Sequence, residues 1–260
     1  MLELPDHLPP GALCDGGADL LAETLAGMGA HWWAGADLST DATGAVTGWA
    51  DRLGGTLARP TGPSTGNGLT GAAGDLVGLQ CRDGLHCGLM AGKVTKDATS
   101  ATLAARYLPP WGEDAKTVMA FNSGGVAKRS EFENCLFLSE TAGVVTVKDD
   151  KGLVDLTFPA PDADLPRVIL VSLSGDRLAI EVVGEAKAEA QASAPVLFGP
   201  ANLFIGCRNQ RAGLTKTLGG ALIADVWLWP GRALLMSDAP ADRAALMALR
   251  RFVLWSDDAG

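Results

Sequence analysis

Membrane-spanning segments and basic stripes are both missing from this sequence. No part of the 260-residue chain approaches the roughly 18 consecutive apolar residues that cross a bilayer as a helix. The N-terminal residues have neither the positive region nor the apolar region of a secretory signal, so we expect synthesis in the cytoplasm without a signal peptide. Acidic residues outnumber basic ones by 30 to 21, and the densest basic clusters are only pairs, Lys128-Arg129 and Arg250-Arg251. Neither a nucleic-acid partner nor membrane insertion is therefore expected.

Cysteine and histidine are sparse and irregularly spaced. The five cysteines are Cys14, Cys81, Cys87, Cys135 and Cys207, and the three histidines are scattered. An odd number of cysteines in a chain without a signal favours reduced thiols that fill small apolar sites. Cys81 and Cys87 could instead pair across a hairpin. No spacing matches a zinc site, so no metal and no cofactor is predicted from this pattern.

Motifs for nucleophilic catalysis and phosphate binding are absent as well. The chain has no Gly-x-Ser-x-Gly elbow, and its glycine-rich stretch at residues 62–74 contains no Gly-Lys-Ser/Thr. That stretch predicts a loop, which could lie at the rim of a site. The nearest acidic pairs, which we interpret as solvated charges, are Glu131/Glu133, Asp149/Asp150 and Glu181/Glu185.

Short apolar segments separated by turns are abundant. The chain contains 33 glycines, and turn dipeptides such as Asp83-Gly84 and Gly175-Asp176 separate about twelve predicted strands between residues 31 and 228. The clearest signal is a hairpin over residues 167–183, where Ile169, Val171 and Leu173 share one face, as do Leu178, Ile180 and Val182. This pattern predicts one all-β domain of two packed sheets.

Helical periodicity occurs only near the two ends of the chain. Leu20, Leu21 and Leu25 indicate a short helix within residues 1–30, and Ser237 and Asp238 offer N-caps for a second helix near the C-terminus. We therefore divide the chain into an N-terminal arm with a helix, residues 1–30, and a sandwich, residues 31–260. The arm is either an extension packed on the edge of the sandwich or an anchor for another protein of a particle or cell surface.

The order of several motifs resembles the concanavalin A-like, laminin-G-like domains of phage and bacterial proteins. The motifs are His31-Trp32-Trp33 followed by Asp37-Leu38-Ser39, Val46-Thr47-Gly48-Trp49-Ala50-Asp51, Gly175-Asp176-Arg177-Leu178 through Gly184-Glu185, Leu203-Phe204-Ile205-Gly206, and Gly220 to Trp229 before a terminal helix. The match covers about residues 31 to 255. It implies a jelly-roll β-sandwich with short N- and C-terminal helices.

The resemblance also bears on catalysis and on metal binding. Hydrolases that resemble this fold carry their acids as Glu-x-Asp-x-x-Glu on one strand, and no such run exists here. We therefore expect a protein that is not an enzyme. Calcium is a possible exception to the absence of cofactors, since similar proteins hold it at the sandwich rim; the candidates are Asp37, Asp51 and Asp225, without a spaced ligand loop.

The resemblance leaves three functional hypotheses. The first is a carbohydrate-binding, lectin-like adhesin, a spike or fibre of a phage-like particle such as a gene transfer agent, which recognises a host cell-surface or capsular polysaccharide. The second is a structural virion or interaction module without glycan affinity. The third, disfavoured by the missing acids, is a glucanase-like hydrolase.

A sugar site needs aromatic rings for stacking and planar polar groups for reading hydroxyls. Three of the seven tryptophans, Trp32, Trp33 and Trp49, belong to the family pattern and are expected in the core. Trp227 and Trp229 share one strand face, which is either buried or part of a concave groove. The candidate carbohydrate-binding residues are Tyr107, Trp111, Arg208, Asn209, Arg211, Asp225, Trp227 and Trp229.

Overall fold

The computed structural model describes residues 16–62, 67–110, 115–123, 134–160, 165–208 and 219–257. Within these ranges the chain forms 17 β-strands and two α-helices. The strands make two antiparallel sheets that pack face to face over one apolar core. The predicted all-β sandwich with helices near its ends is therefore confirmed.

The sheet whose outer face is covered by the helices is called the back sheet, and the other is called the front sheet. The back sheet contains, in spatial order, β15 (Ala186–Gln191), β14 (Arg177–Val182), β13 (Arg167–Ser174), β8 (Ser100–Leu108), β17 (Leu222–Pro230), β6 (Leu76–Gln80) and β5 (Leu69–Ala73), with β1 (His31–Ala34) also paired to β17. The front sheet contains β12 (Asp155–Pro159), β11 (Val144–Asp149), β10 (Asn134–Thr141), β9 (Ala115–Ser123), β16 (Ala201–Ile205), β7 (Leu89–Thr95), β4 (Leu57–Pro60), β3 (Val46–Ala50) and β2 (Leu38–Thr40). The helices are α1 (Gly16–Ala26) and α2 (Pro240–Asp257).

The hairpin of β13 and β14 follows directly from the sequence pattern. Ile169 pairs with Val182 and Val171 pairs with Ile180, and all four side chains are buried between the sheets. Gly175 in the connecting turn has φ +62°, a conformation that glycine adopts without steric cost. The predicted hairpin is confirmed.

The tryptophans of β1 point in opposite directions. Trp33 packs between the two sheets together with Trp49, whose indole Nε1 donates a hydrogen bond to the carbonyl of Ala34 at 2.7 Å. Trp32, the neighbouring residue, lies in the apolar layer on the other side of the back sheet, because successive strand side chains alternate between faces. All three are buried, as the sequence predicts.

Helices α1 and α2 cover the outer face of the back sheet. Leu21 and Leu25 of α1 and Leu249 of α2 are fully buried there against Trp227 and Trp229 of β17. The tryptophan face of β17 is therefore a buried helix-packing surface, and the alternative that it lines a concave groove is wrong. Neither of the described helices is long and apolar enough to cross a membrane.

Five strands are present beyond those predicted: β2, β3, β4, β5 and β15. They are short, from three to six residues, and β5 and β15 consist largely of glycine, alanine and charged residues, which have little strand preference of their own. Part of the stretch predicted as a loop, residues 62–74, is the edge strand β5, so the loop prediction is wrong for residues 69–73. Pairing with β6 determines the conformation there.

The described cysteines are reduced and buried. Cys81, Cys87, Cys135 and Cys207 have no disulfide partner among the described residues. Burial raises the pKa of the Cys207 thiol to about 12, which keeps it protonated and unreactive at neutral pH. The interpretation as small apolar side chains is confirmed for these four residues, and Cys14 lies outside the described residues.

The helix-covered layer generates a stability prediction. Trp227→Ala should lower the free energy of unfolding by about 3–5 kcal/mol, because it removes a large, fully buried aromatic side chain and leaves a cavity. Met247→Ala on the exposed face of α2, where Met247 is 65% exposed, is the matched control and should change it by less than about 0.5 kcal/mol. Urea unfolding of both variants measures the difference. Equal effects would contradict the packing described here.

Candidate functional site

A depression opens on the outer face of the front sheet, near β10, β11 and β12. Its volume is 330 Å³, within the range of about 300–1,000 Å³ typical of ligand sites. It is lined by Phe137, Lys148, Asp149, Asp150, Gly152, Val154, Asp155 and Arg208. Five of these eight residues are charged, so the described lining suits a polar ligand.

The register of the front sheet brings the lining residues together. Leu136 and Leu138 point into the core, so Phe137 between them points outward. Phe137 pairs with Lys148 of β11, and Lys148 pairs with Asp155 of β12. These three side chains therefore form one row across the outer face.

The turn between β11 and β12 is organised around the carboxylate of Asp149. Its two oxygens accept hydrogen bonds from the backbone N–H groups of Lys151 at 3.0 Å, Leu153 at 2.7 Å and Val154 at 3.0 Å, and from the side-chain amide of Asn134 at 3.2 Å. Asp149 is only 3% exposed. Because the Asp149 carboxylate accepts hydrogen bonds from four donors, it holds this turn in shape without a bound ligand.

Asp150, the next residue, is tied to β10. Its Oδ1 accepts a hydrogen bond from the backbone N–H of Cys135 at 3.1 Å, and its own N–H donates to the carbonyl of Cys135 at 3.1 Å. Both the backbone and the side chain are thus held in place. Asp150 presents a carboxylate of defined position to the depression.

Arg208 forms the opposite wall of the depression. Its guanidinium carbon lies 3.3 Å from the centre of the Phe137 ring, and its Nε donates a hydrogen bond to Thr117 Oγ1 at 3.0 Å. Because Phe137 is only 2% exposed, its ring is not open to a ligand. The planar guanidinium is the group that faces the depression.

Lys148 and Asp155 line the more open part of the depression. Lys148 Nζ lies 3.8 Å from Asp155 Oδ2, and the two side chains are 43% and 60% exposed. A solvent-exposed pair of this kind contributes little stability, about 0–1 kcal/mol. Both groups can therefore exchange their partner for a ligand hydroxyl at small cost.

The described lining of the depression combines hydrogen-bond donors and acceptors. Arg208 and Lys148 donate, and Asp150 and Asp155 accept. Such a set can bind a hydroxyl-rich ligand by pairs of hydrogen bonds. Two carboxylates at one site are also the groups that acid–base hydrolysis of a glycosidic bond requires.

Among the predicted residues that the structure describes, Arg208 is the one that lines this depression. Tyr107, Asp225, Trp227 and Trp229 are buried elsewhere in the sandwich. The remaining three predicted residues, Trp111, Asn209 and Arg211, lie outside the described residues. The described candidate carbohydrate-binding residues therefore do not form one site.

The partners of Tyr107 explain why it is buried. Its hydroxyl donates a hydrogen bond to Glu140 Oε2 at 2.7 Å, and Arg167 Nε lies 3.1 Å from the same carboxylate. Burial raises the pKa of the Tyr107 hydroxyl well above its ordinary value, and the Glu140 carboxylate raises it further. Tyr107 therefore connects the two sheets through a buried polar network instead of meeting a ligand.

Asp225 is buried at the back sheet, where its Oδ1 accepts a hydrogen bond from the indole Nε1 of Trp32 at 2.9 Å. Burial raises the pKa of Asp225 to about 6, although Trp32 and the nearby Arg106 and Arg52 act in the opposite direction. Asp225, which the sequence suggests as a sugar or calcium ligand, is thus a buried carboxyl group with a pKa of about 6.

The other two calcium candidates also have protein partners. Arg52 pairs with Asp37 through Nε at 2.9 Å. Asp51 accepts hydrogen bonds from His31 and from the backbone N–H groups of Trp32, Leu53 and Gly54. Among the residues that the structure describes, no group of three His, Cys, Asp or Glu side chains could hold a metal ion. The calcium alternative stays a prediction.

Two of the acidic residues interpreted as solvated charges are buried. Asp149 organises the β11–β12 turn, as described above. Glu181 is 4% exposed and forms a bidentate ion pair with Arg250 of α2, at 2.9 and 2.6 Å. The solvated interpretation is therefore wrong for these two, and it holds for Glu185, which is exposed. Glu131 and Glu133 lie outside the described residues.

A second, wider depression of 590 Å³ lies near the start of α2. Its charged side chains are largely committed to one another: Arg232 Nη1 lies 2.7 Å from Asp242 Oδ1, and Ser237 donates to the other oxygen of Asp242 at 2.5 Å. Arg177, also in its lining, is paired with Glu189. This depression is the second candidate, and Arg177 offers a matched arginine for control experiments.

Phe137, Lys148, Asp150 and Asp155 were missed as site residues. In the sequence, Asp149 and Asp150 indicate only a pair of solvated charges. The signal that could have pointed to the site is the alternation around this turn, which places Lys148 and Asp155 on the same outer face as Phe137.

Comparison with known proteins supports the fold. No protein-family model matches the chain, and no curated protein matches it in sequence. Among solved structures, Trypanosoma rangeli sialidase is 13% identical with a TM-score of 0.56, covering 85% of this chain and 32% of the sialidase. A mutant of that sialidase with trans-sialidase activity has a TM-score of 0.59 at 11% identity, covering 90% and 37%.

An arabinofuranosidase complexed with arabinofuranosyl-alpha-1,2-xylobiose is 13% identical with a TM-score of 0.50, covering 78% of this chain and 51% of that one. The chain thus spans about a third of the sialidase and about half of the arabinofuranosidase. At these identities the likeness shows a shared fold, and it confirms the all-β sandwich.

The expectation that this chain is not an enzyme is contradicted by these comparisons. Both kinds of similar structure are glycosidases by name. The absence of a Glu-x-Asp-x-x-Glu run therefore does not exclude catalysis for a chain with this fold. That this chain belongs to a phage-type lectin family stays a prediction.

The raised pKa of Asp225 generates a prediction on stability and pH. The folded state holds the Asp225 proton more firmly than the unfolded state, so ionisation destabilises the fold as pH rises from about 4 to above 6. Asp225→Asn removes this ionisation and keeps an acceptor for Trp32. The stability of the variant relative to the parent should increase by on the order of 3 kcal/mol between pH 4 and pH 7, at about 1.36 kcal/mol per pKa unit.

Urea unfolding of both proteins across this pH range provides the measurement. Asp155→Asn, which alters an exposed carboxylate, is the control and should show a much smaller change with pH. A stability difference for Asp225→Asn that stays constant from pH 4 to pH 7 would show that the carboxyl has an ordinary pKa.

Proposed function

We propose that this domain binds a carbohydrate at the front-sheet depression. The observation that carries the proposal is the fixed arrangement of the planar polar groups Arg208 and Asp150, which are held by Thr117, Phe137 and Cys135 independently of any ligand. Groups that are ordered in advance lose little conformational entropy on binding. The site thus offers directed donors and acceptors to sugar hydroxyls.

The names of the similar structures support the same class of ligand. They include a sialidase in complex with sialic acid and an arabinofuranosidase with an arabinofuranosyl-xylobiose. This chain corresponds to a third to a half of those proteins, so the proposal takes from them only the class of ligand. Fold likeness alone is a weak guide to function, and the lining of the depression is the stronger support.

We extend the proposal to a biological role as an adhesin. In that role the domain is a spike or fibre component of a phage-like particle and recognises a host cell-surface or capsular polysaccharide. The support is the ordered set of sequence motifs that resembles laminin-G-like domains of phage proteins. A purely structural module of such a particle is the alternative that glycan binding would eliminate.

Hydrolysis at the same depression is a second candidate. The observation that favours it is the presence of Asp150 and Asp155 in one lining. Two carboxyl groups that flank a sugar bond at about 5 to 9 Å can act as acid and base or as acid and nucleophile. Binding and cleavage therefore use the same site in this account.

A glycan array tests the binding proposal. Arg208→Ala should weaken binding to the recognised glycan by at least about tenfold, because it removes the planar donor from the depression and roughly 1.4 kcal/mol corresponds to a factor of ten. Arg177→Ala, an exposed arginine in the second depression, is the control and should bind like the parent. Trp111→Ala tests the tryptophan predicted from the sequence.

The outcomes separate the hypotheses. Loss with Arg208→Ala alone supports the front-sheet depression, and loss with Arg177→Ala alone contradicts it in favour of the second depression. A folded protein that binds no glycan would refute carbohydrate binding and favour the structural module.

Release of reducing ends from bound polysaccharides tests the second candidate. If the depression cleaves its ligand, Asp150→Asn and Asp155→Asn should each lower the rate by at least about a hundredfold while binding is lowered far less. Asp176→Asn, a substitution in the turn between β13 and β14, is the control and should keep full activity. No detectable release by the parent protein would limit the site to binding.

A further inference from the structure

We propose that the second depression, beside the start of α2, binds a phosphate or sulfate ester between the side chains of Arg177 and Arg232. The linings of the two depressions share no described residue, so this site is separate from the proposed carbohydrate site. Its volume of 590 Å³ has room for an ester group together with a remainder of about the size of a sugar. The lining comes from two stretches, residues 174–177 and residues 230–242, that the structure describes without a gap.

Arg232 is held in position through both its backbone and its side chain. Its carbonyl accepts a hydrogen bond from Thr102 Oγ1 at 2.8 Å, and its Nη1 donates to Asp242 Oδ1 at 2.7 Å. The other oxygen of Asp242 accepts a hydrogen bond from Ser237 Oγ at 2.5 Å. The edge of the Arg232 guanidinium formed by Nε and Nη2 bonds to none of the residues that the structure describes. This edge is the fork with which an arginine holds two oxygens of one anion.

Arg177 supplies a second guanidinium from the start of β14. Its Nη2 lies 3.1 Å from Glu189 Oε2, and these two side chains are 55% and 62% exposed. An exposed pair of this kind contributes little stability, so Arg177 can exchange Glu189 for a ligand. The other two nitrogens of this guanidinium, Nε and Nη1, have no partner within the described parts of the chain.

The back sheet brings both arginines to the same end of the sandwich. Arg177 pairs with Ser174 of β13, and Ser174 pairs with Ser100 of β8. The backbone N–H of Gly231, the residue before Arg232, donates to the carbonyl of Ser100 at 2.8 Å. Because neighbouring strands lie about 4.8 Å apart, two side chains as long as arginine can reach one ligand group from either side. The hydroxyl of Ser174 lies between them in the lining.

The class of ligand follows from the open hydrogen-bond donors and not from a sum of charges. Of the two carboxylates in the lining, Asp242 is matched by Arg232, as described above. Asp238 is paired with Arg243, a residue outside the lining. A carboxylate ligand has two oxygens in one plane, which a single guanidinium fork satisfies. A phosphate or sulfate ester has three terminal oxygens in different directions, so it can accept hydrogen bonds from Arg177 and Arg232 together.

Titration of the full chain, followed through its backbone amide signals by NMR, tests the proposal. The probes are glucose 6-phosphate and glucose 6-sulfate, and the controls are glucose and acetate at the same ionic strength. We expect saturable shifts with both esters at the amides of Ser174, Arg177, Gly231 and Arg232. Glucose should shift none of these signals, and acetate should bind at least about tenfold more weakly than the esters.

Two variants test the two arginines separately. Arg177→Gln removes an exposed guanidinium, so the variant should fold like the parent and bind the esters at least about tenfold more weakly. Arg232→Lys keeps the charge but loses the planar fork, and it should weaken binding to a similar degree. Arg59→Gln is the matched control, because Arg59 is an exposed arginine on β4 of the front sheet. It should bind like the parent.

Each outcome bears on the proposal. Saturable shifts at the four amides, lost in both arginine variants and kept in Arg59→Gln, would support it. Absence of ester binding by the parent, equal affinity for acetate and the esters, or unchanged binding by Arg177→Gln would each overturn it. Shifts at the front-sheet depression in place of these four amides would overturn it as well. A glycan array without any bound glycan would contradict the proposed function and leave this site standing.

Discussion

The candidate site depends on the hydrogen bonds that the buried carboxylate of Asp149 accepts. Its four hydrogen bonds join the β11–β12 turn to Asn134 at the start of β10, and this junction sets Asp150 beside Cys135 and Asp155 across from Lys148. A buried carboxylate that lost these donors would be costly, so the turn has one stable shape. Most of the site is thereby built on strands and a locked turn, which hold binding groups more accurately than a long loop does, while Arg208 follows the end of β16.

Among the residues that the structure describes, α-helices lie only on the back sheet, so the two outer faces of the sandwich differ there. On the back sheet, α1 and α2 bury Trp32, Trp227 and Trp229, and the ion pair between Glu181 and Arg250 fastens α2 to β14. These tryptophans are used for packing and are closed to ligands. The outer face of the front sheet, by contrast, presents charged side chains around the depression at β10 to β12.

Much of the fold, and little of the site, was predictable from the sequence. The alternation in β13 and β14 and the helical spacing after Pro240 predicted these elements well, because the local pattern and the tertiary burial agree there. Strand β5 and strand β15 were missed because pairing, not composition, makes them strands. Trp227 and Asp225 were predicted as ligand contacts. Periodicity in the sequence shows which residues share one face of a strand, but it does not show whether helices cover that face. Asp150 and Asp155 became candidates only when the register of three strands placed them around Arg208.

Residue-resolved mapping of ligand binding by NMR tests the central claim most directly, namely that the depression around Arg208 is the carbohydrate site. A glycan identified on the array would be titrated into the isotope-labelled chain. The account predicts that the largest shifts occur at the backbone amides of Cys135, Lys151, Leu153 and Val154, whose N–H groups are bonded to Asp149 or Asp150. Shifts concentrated at Gly231 and Arg232 of the second depression, with none at these four amides, would contradict it.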